Sequence, residues 1–109
     1  MRRRKVVLRP SAKSDIKDIQ RWIEANASKR TTDAYVARLN VAIRRLGDQA
    51  EIGLSLPELG SGFRMTNFAG AYSIVFRVEL SRVVVFRVVH GVRDLATVLA
   101  QTNFGADGA

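Results

Sequence analysis

Residues 63–90 decide the fold and read FRMTNFAGAYSIVFRVELSRVVVFRVVH. Three segments in this stretch, 63–68, 71–79 and 82–89, are rich in Val, Ile, Phe and Tyr, and short breaks separate them. Such spacing is typical of consecutive strands joined by tight turns. We therefore predict a three-strand antiparallel meander.

The alternation of side chains in the middle strand predicts which face is buried. Apolar residues occupy positions 72, 74, 76 and 78, so one face of this strand is apolar. If the next strand adds Val84, Phe86 and Val88 to that face, then Arg77 and Arg87 lie together on the opposite face. A register shifted by one residue would bury Arg87 without a partner charge, which is costly. We therefore expect helices on the apolar face and outward-facing arginines on the other.

A strand and an amphipathic helix are predicted near the start of the chain. The apolar run over residues 5–9 ends at Pro10, which favours a short first strand. Ser11 offers an N-cap oxygen, and apolar residues at spacings of three and four predict a helix over about 12–27. Trp22 borders the apolar stripe of this helix and is interpreted as a core or interface-edge residue, outside the functional set.

A second helix is predicted to start at a threonine, position 31 or 32, and to stop at Gly47. Residues 47–62 show no clean period and contain several glycines, which is typical of a loop. The elements add up to an α+β fold: an N-terminal strand, an antiparallel two-helix hairpin packed on one face of a small antiparallel β-sheet, and a short C-terminal helix. We expect one domain over residues 1–101 and a flexible tail over 102–109.

The charge balance favours acidic partners. The 109 residues include 18 Lys and Arg against 10 Asp and Glu, a formal net charge of +8. Residues 1–46 hold 13 basic and 4 acidic residues, or +9, and the remainder holds 5 and 6, or −1. With no Cys and one His, a metal or thiol site is not expected. No apolar run is long enough to span a bilayer, so the expected location is the cytoplasm.

Four segments carry a family resemblance: 7–12, 56–64, 72–78 and 88–95. The last reads VVHGVRDL and is the most specific. With the order of elements, these segments resemble the RelE/ParE toxin superfamily of type II toxin-antitoxin systems, and the final segment resembles its ParE branch. The resemblance implies a growth-inhibiting, plasmid-stabilising toxin that inhibits DNA gyrase by binding. No cofactor is implied.

The RelE branch, whose members cleave messenger RNA on the ribosome, supplies the alternative. RelE-type enzymes place an arginine where this chain has Ser73 and a tyrosine where it has Leu99. Arg64 and Arg93 match basic positions of that set, and His90 could serve as a base. The arginine and the tyrosine that RelE-type enzymes have at positions 73 and 99 are therefore absent. Inhibition by binding is predicted, and a metal-independent endoribonuclease using Arg64, His90 and Arg93 is the alternative.

The predicted site for the target and the antitoxin is a set of mostly basic residues. Its members are Arg64, Arg77, Arg87, His90, Arg93 and Asp94. The resemblance implies a ParD-like antitoxin whose disordered acidic segment folds on the toxin. The expected assembly is a homodimer or a toxin-antitoxin hetero-oligomer. A third reading, a nucleic-acid-binding module without toxicity, predicts duplex affinity that falls steeply with salt.

Overall fold

The computed structural model of the chain describes residues 3–91, 95–102 and 104. Within these residues the elements follow the order β1 (Lys5–Leu8), α1 (Pro10–Asn26), α2 (Lys29–Arg45), β2 (Leu54–Ser55), a 3-10 turn (Pro57–Leu59), β3 (Phe63–Phe68), β4 (Tyr72–Val78), β5 (Arg82–His90) and α3 (Leu95–Gln101). The predicted α+β class is confirmed. The three strands of the meander begin and end within one residue of their predicted bounds.

The strands form one five-stranded sheet in the order β1-β5-β4-β3-β2. The neighbours β3–β4 and β4–β5 are antiparallel, as predicted. β1 pairs in parallel with β5, with Lys5 opposite Arg82, so the sheet is mixed. β2 lies in the segment predicted as a loop, because a strand of two residues is too short to show an alternating pattern.

Both helices begin earlier than predicted. Pro10 occupies the first turn of α1, where its missing N–H costs no helical hydrogen bond. Ser11 is not the N-cap, because its hydroxyl donates to the carbonyl oxygen of Phe86 at 2.7 Å. For α2 the cap is Ser28, whose hydroxyl oxygen accepts from the Thr31 N–H at 3.1 Å. The cap therefore precedes the threonine that marked the predicted start.

The helices cover one face of the sheet and bury the larger apolar cluster. Each helix contributes residues at spacings of three and four, and β4 contributes the alternate positions that the sequence predicted. The buried members on these elements are Ala12, Ile19, Ile23, Leu39, Ile43, Tyr72, Ile74, Phe76, Val83, Val85 and Val88. The helix stripes and the apolar face of β4 are thus confirmed.

A β-bulge in β5 changes the predicted alternation. β4 pairs with Arg87 at one position and with Val85 at the next, which leaves Phe86 as an extra residue. Val88 lies on the helix face as predicted. The assignment of Val84 and Phe86 to that face is wrong, because the bulge places both in a second cluster on the other side.

The second cluster covers the sheet face that the sequence left open. Its buried members are Leu56, Phe63, Val75, Val84, Phe86, Val89 and Leu95. The ring of Phe104 lies 5.2 Å from those of Phe63 and Phe86, so this residue of the predicted tail packs on the domain. Residues 103 and 105–109 of that tail lie outside the described residues. In the part of the chain described, no helix is long and apolar enough to cross a membrane.

Candidate partner-binding site

The outer edge of β5 is completed by two different elements. β1 ends opposite Val85, and beyond that point α1 runs along the open edge. There Ser11 Oγ donates to the Phe86 carbonyl oxygen at 2.7 Å, and Asp15 Oδ2 accepts from the Val88 N–H at 2.8 Å. Two side chains of α1 thus satisfy backbone groups that a neighbouring strand would otherwise pair.

Arg87 is held by the same carboxylate. Its Nε and Nη2 donate to the two oxygens of Asp15 at 2.7 and 2.8 Å, and its Nη1 donates to Thr102 Oγ1 at 3.0 Å. The side chains of Arg87 and Asp15 are 22% and 12% exposed. The hydrogen bond from the guanidinium to Asp15 raises the pKa of Arg87 above its ordinary value. Asp15 therefore fixes α1, β5 and α3 to one another through a single arginine.

Arg77 belongs to a second ion-pair cluster near the carboxyl end of β4. Its guanidinium donates to the carboxylate of Glu79, which also accepts from Arg82. The same guanidinium lies 5.5 Å from the ring centroid of Phe63 and 5.4 Å from that of Phe86. The hydrogen bond from Arg82, with that from Arg77, lowers the pKa of Glu79, and burial opposes this effect. Arg77 is thus tied both to an acid and to the second apolar cluster.

These contacts correct the predicted role of the two arginines. Arg77 and Arg87 do lie on the same side of the sheet, since they pair with Val84 and Val75 of the second cluster. They do not face outward with free guanidinium groups. Each is engaged in an internal ion pair because α3 and Phe104 cover that face, where an unpaired charge would be costly.

Arg64 holds the turn that leads into β2. Its Nε donates to the carbonyl oxygen of Ile52 at 3.1 Å, and its Nη2 donates to those of Glu51 and Gly53 at 2.7 and 3.0 Å. One guanidinium therefore satisfies three carbonyl groups of a short irregular segment. This arrangement gives Arg64 a positioning role in the edge of the sheet.

Arg64 and His90, the two described residues of the ribonuclease alternative, are not brought together. Arg64 pairs with position 76 of β4, and His90 pairs with position 72 of the same strand. Four residues of extended strand separate these positions by about 13 Å. Arg93 and Asp94 lie outside the described residues. Within the described ranges, no group of three or more His or acidic residues could hold a metal ion.

A groove of about 380 Å³ opens between α1, the end of β5 and α3. Its lining is mainly apolar and comprises Ile19, Trp22, Tyr72, Val88, Val89 and Val98, with charged or polar side chains from Asp15, Asp18, Arg87 and His90. The Trp22 side chain is 63% exposed, and its ring centroid lies 6.3 Å from that of His90. Burial, and secondarily Tyr35, raises the pKa of Tyr72, so its phenol remains protonated near neutrality. The groove offers an apolar surface with an exposed aromatic side chain.

The predicted site includes His90, which lines the groove, and omits Asp15 and Trp22, which line it as well. Asp15 lies three residues after Ala12 and four before Ile19, so it falls within the buried stripe of α1. An acid in such a stripe indicates a buried partner, and this signal was available. Trp22 was assigned to the border of the stripe, which is correct, but only the structure shows the groove beside it.

The fold and the groove define a small α+β domain with an apolar cleft beside an exposed tryptophan. A family model described as ParE toxin of type II toxin-antitoxin system, parDE, matches residues 6–95. The chain belongs to this ParE toxin family, and such a system implies an antitoxin partner.

The comparison with solved structures gives the same fold. A chain of the chromosomal ParDE toxin-antitoxin system from P. aeruginosa is similar with a TM-score of 0.67 and 18% sequence identity. The match covers 80% of this chain and 95% of that one. No curated protein matches the sequence.

Proposed function

We propose that this toxin inhibits DNA gyrase in the cytoplasm by binding, and that a ParD-like antitoxin neutralises it. The covered sheet face is the observation that favours inhibition by binding over RNA cleavage. Ser73, where the RelE branch has an arginine, is 2% exposed, and Leu99, where it has a tyrosine, packs against the second apolar cluster. These positions serve packing, which favours inhibition by binding.

The groove beside Trp22 is the proposed antitoxin site. An exposed tryptophan at the rim of an apolar cleft is the kind of anchor that contributes most of the binding energy in protein interfaces. The net charge of +8 complements an acidic antitoxin segment, which would order as its apolar side chains enter the groove. The resulting assembly is a toxin-antitoxin hetero-oligomer.

The target is tested with two assays on the purified chain. Gyrase supercoiling is expected to stop with increasing toxin, and messenger RNA on programmed ribosomes is expected to stay intact. Adding the antitoxin encoded beside the toxin gene should restore supercoiling. Cleaved messenger with unimpaired supercoiling would instead establish the ribonuclease alternative.

The docking site is tested through the fluorescence of Trp22, the single tryptophan of the chain. Antitoxin binding should shift its emission to shorter wavelength, because the indole leaves water. Trp22→Ala should weaken antitoxin binding about 30-fold, the equivalent of roughly 2 kcal/mol for an interface anchor. Leu80→Ala is the matched control, since Leu80 is 76% exposed in the turn between β4 and β5. Equal affinities for both variants would place the antitoxin elsewhere.

A further inference from the structure

The exposed face of α2 carries four arginines. Arg30, Arg38, Arg44 and Arg45 are all exposed, and this face also carries the exposed side chains of Asp33, Ala34, Ala37 and Val41. We call the four arginines the basic ridge. At 1.5 Å per residue, the 15 steps from Arg30 to Arg45 extend over about 22 Å of helix. The ridge accounts for much of the positive surplus of the first 46 residues.

The ridge continues into the start of β1. Arg3, Arg4 and Arg44 line a shallow groove of about 400 Å³ together with Gly47 and Asp48. Asp48 accepts from Arg3 at 3.0 Å, whereas Arg44 makes no side-chain hydrogen bond or ion pair with any other described residue. One acid therefore faces three arginines at this end of the ridge.

Helix stability explains only part of the ridge. Arg44 and Arg45 lie in the last turn of α2, where positive charge is favourable because the carboxyl end of a helix is electronegative. Arg30 lies in the first turn, where the same effect is unfavourable. The guanidinium of Arg38 lies 5.4 Å from the ring centroid of Tyr35, in the middle of the helix. A row of four arginines thus includes one placed against the helix dipole.

We propose that the basic ridge binds the phosphate backbone of duplex DNA. The proposal rests on the proposed function, because gyrase acts on duplex DNA and brings it next to a bound inhibitor. A guanidinium can bind one phosphate through two hydrogen bonds, and displacement of counterions from the duplex supplies affinity. The toxin therefore contacts both the enzyme and its DNA.

The surroundings of the ridge favour DNA over an acidic protein. The residues that contribute most of the affinity in protein interfaces, chiefly Trp, Tyr and Arg, lie in well-packed and fully desolvated pockets. Besides Asp33, which pairs with Lys29, the ridge offers between its arginines only two alanines and Val41, whose exposed fraction is 38%. The exposed Trp22 lies in the groove of α1, whose lining is mainly apolar and whose acids Asp15 and Asp18 are paired with Arg87 and Arg21. The two surfaces thus suit two different partners.

The test measures binding of the full chain to a fluorescent duplex of about two helical turns as salt is varied. Four phosphate contacts predict a slope of about −3.6 for the logarithm of affinity against the logarithm of salt concentration. Affinity should then fall about 150-fold between roughly 50 and 200 mM salt. Arg44→Gln/Arg45→Gln should lower the slope to about −1.8 and this loss to about 12-fold.

Two further variants complete the test. Arg30→Gln/Arg38→Gln removes the other half of the ridge without touching the last turn of α2, and the same slope of about −1.8 is expected. Asn67→Asp/Gln101→Glu changes the net charge by the same two units at exposed positions on β3 and α3, and should keep the wild-type slope. Thermal unfolding of every variant in the same buffers shows that the fold is retained.

Absence of duplex binding at about 50 mM salt, or wild-type slopes in both ridge variants, would overturn the proposal. Binding of an acidic helical peptide to the ridge, without binding of the duplex, would also overturn the proposal. The supercoiling assay separates this outcome from failure of the proposed function. If the chain inhibits gyrase and the ridge variants inhibit at wild-type concentrations, only the ridge proposal falls. If the chain binds duplex through the ridge without inhibiting gyrase, only the gyrase target falls.

Discussion

Replacing Asp15 by alanine removes the carboxylate that holds α1 to the bulge in β5. Asp15 accepts two hydrogen bonds from Arg87, at 2.7 and 2.8 Å, and one from the Val88 N–H at 2.8 Å. After the substitution, the Val88 N–H has lost its partner and a guanidinium that is 22% exposed has lost its counter-charge. Both consequences destabilise the folded state, and neither arises in the unfolded chain.

The size of the effect follows from these contacts. An unpaired backbone N–H away from water costs about 1–3 kcal/mol. Loss of one partner costs about 3–5 kcal/mol for a buried ion pair and about 0–1 kcal/mol for an exposed one. Arg87 is about one-fifth exposed and keeps its bond to Thr102, so a value between these limits applies. We expect the free energy of unfolding to fall by about 3 kcal/mol and Tm by about 12 °C.

Urea and thermal unfolding followed by circular dichroism measure the change. Asp15→Asn keeps one oxygen that can accept from the Val88 N–H but loses the charge and the second acceptor for Arg87, so its cost should be about half as large. Asp33→Asn breaks the exposed ion pair with Lys29, in which the side chains of Lys29 and Asp33 are 83% and 55% exposed. This substitution should lower the free energy of unfolding by less than about 0.5 kcal/mol. Equal stability of Asp15→Ala and Asp33→Asn would refute the assigned role of Asp15.

Two further predictions concern the pH dependence of stability and the turn before β2. The pKa of Glu79 is lowered in the folded state, so its contribution to the free energy of unfolding is present at neutral pH and is lost as the pH falls below about 4.3. The stability difference between Glu79→Gln and wild type should therefore narrow in acid. A difference in urea midpoint that does not change with pH would contradict this prediction. Gly53→Ala should be strongly destabilising, because φ is 82° and a Cβ would lie 2.1 Å from the carbonyl oxygen of Met65. Gly70→Ala is the control: φ is 69° but the space around a Cβ is open, so the substitution should cost only about 1–2 kcal/mol. Similar urea midpoints for the two variants would count against the predicted clash at Gly53.

The meander was predictable because its strands are long, rich in β-branched residues and separated by short turns. The bulge was not, since nothing local to Phe86 distinguishes it from a regular strand residue in a run of apolar side chains. Its position depends on where β1 ends and where α1 starts to supply hydrogen-bonding side chains. Contacts of this kind join residues far apart in sequence, so the alternation of side chains within one strand cannot predict them.

The site was predictable to the level of single residues only in part. His90 and Arg87 line the groove, but the guanidinium groups of Arg77 and Arg87 pair with internal acids that alternation alone cannot assign to them. Arg87 finds its partner 72 positions earlier in the chain, in a helix whose docking the sequence left undefined. The covering of the second sheet face was not predictable for the same reason, because it depends on Phe104 and on a short helix that returns across the sheet.

The parallel pairing of β1 with β5 also constrains biosynthesis. Lys5 pairs with Arg82, so 77 residues, the difference between 82 and 5, must be polymerised before the first strand meets its neighbour. Contacts of such separation form late, because a long loop must close before they are made. A nascent toxin that stops short of β5 has no partner for β1 and no sheet beneath α1. The groove between α1, β5 and α3 is therefore assembled only after these three elements have been translated.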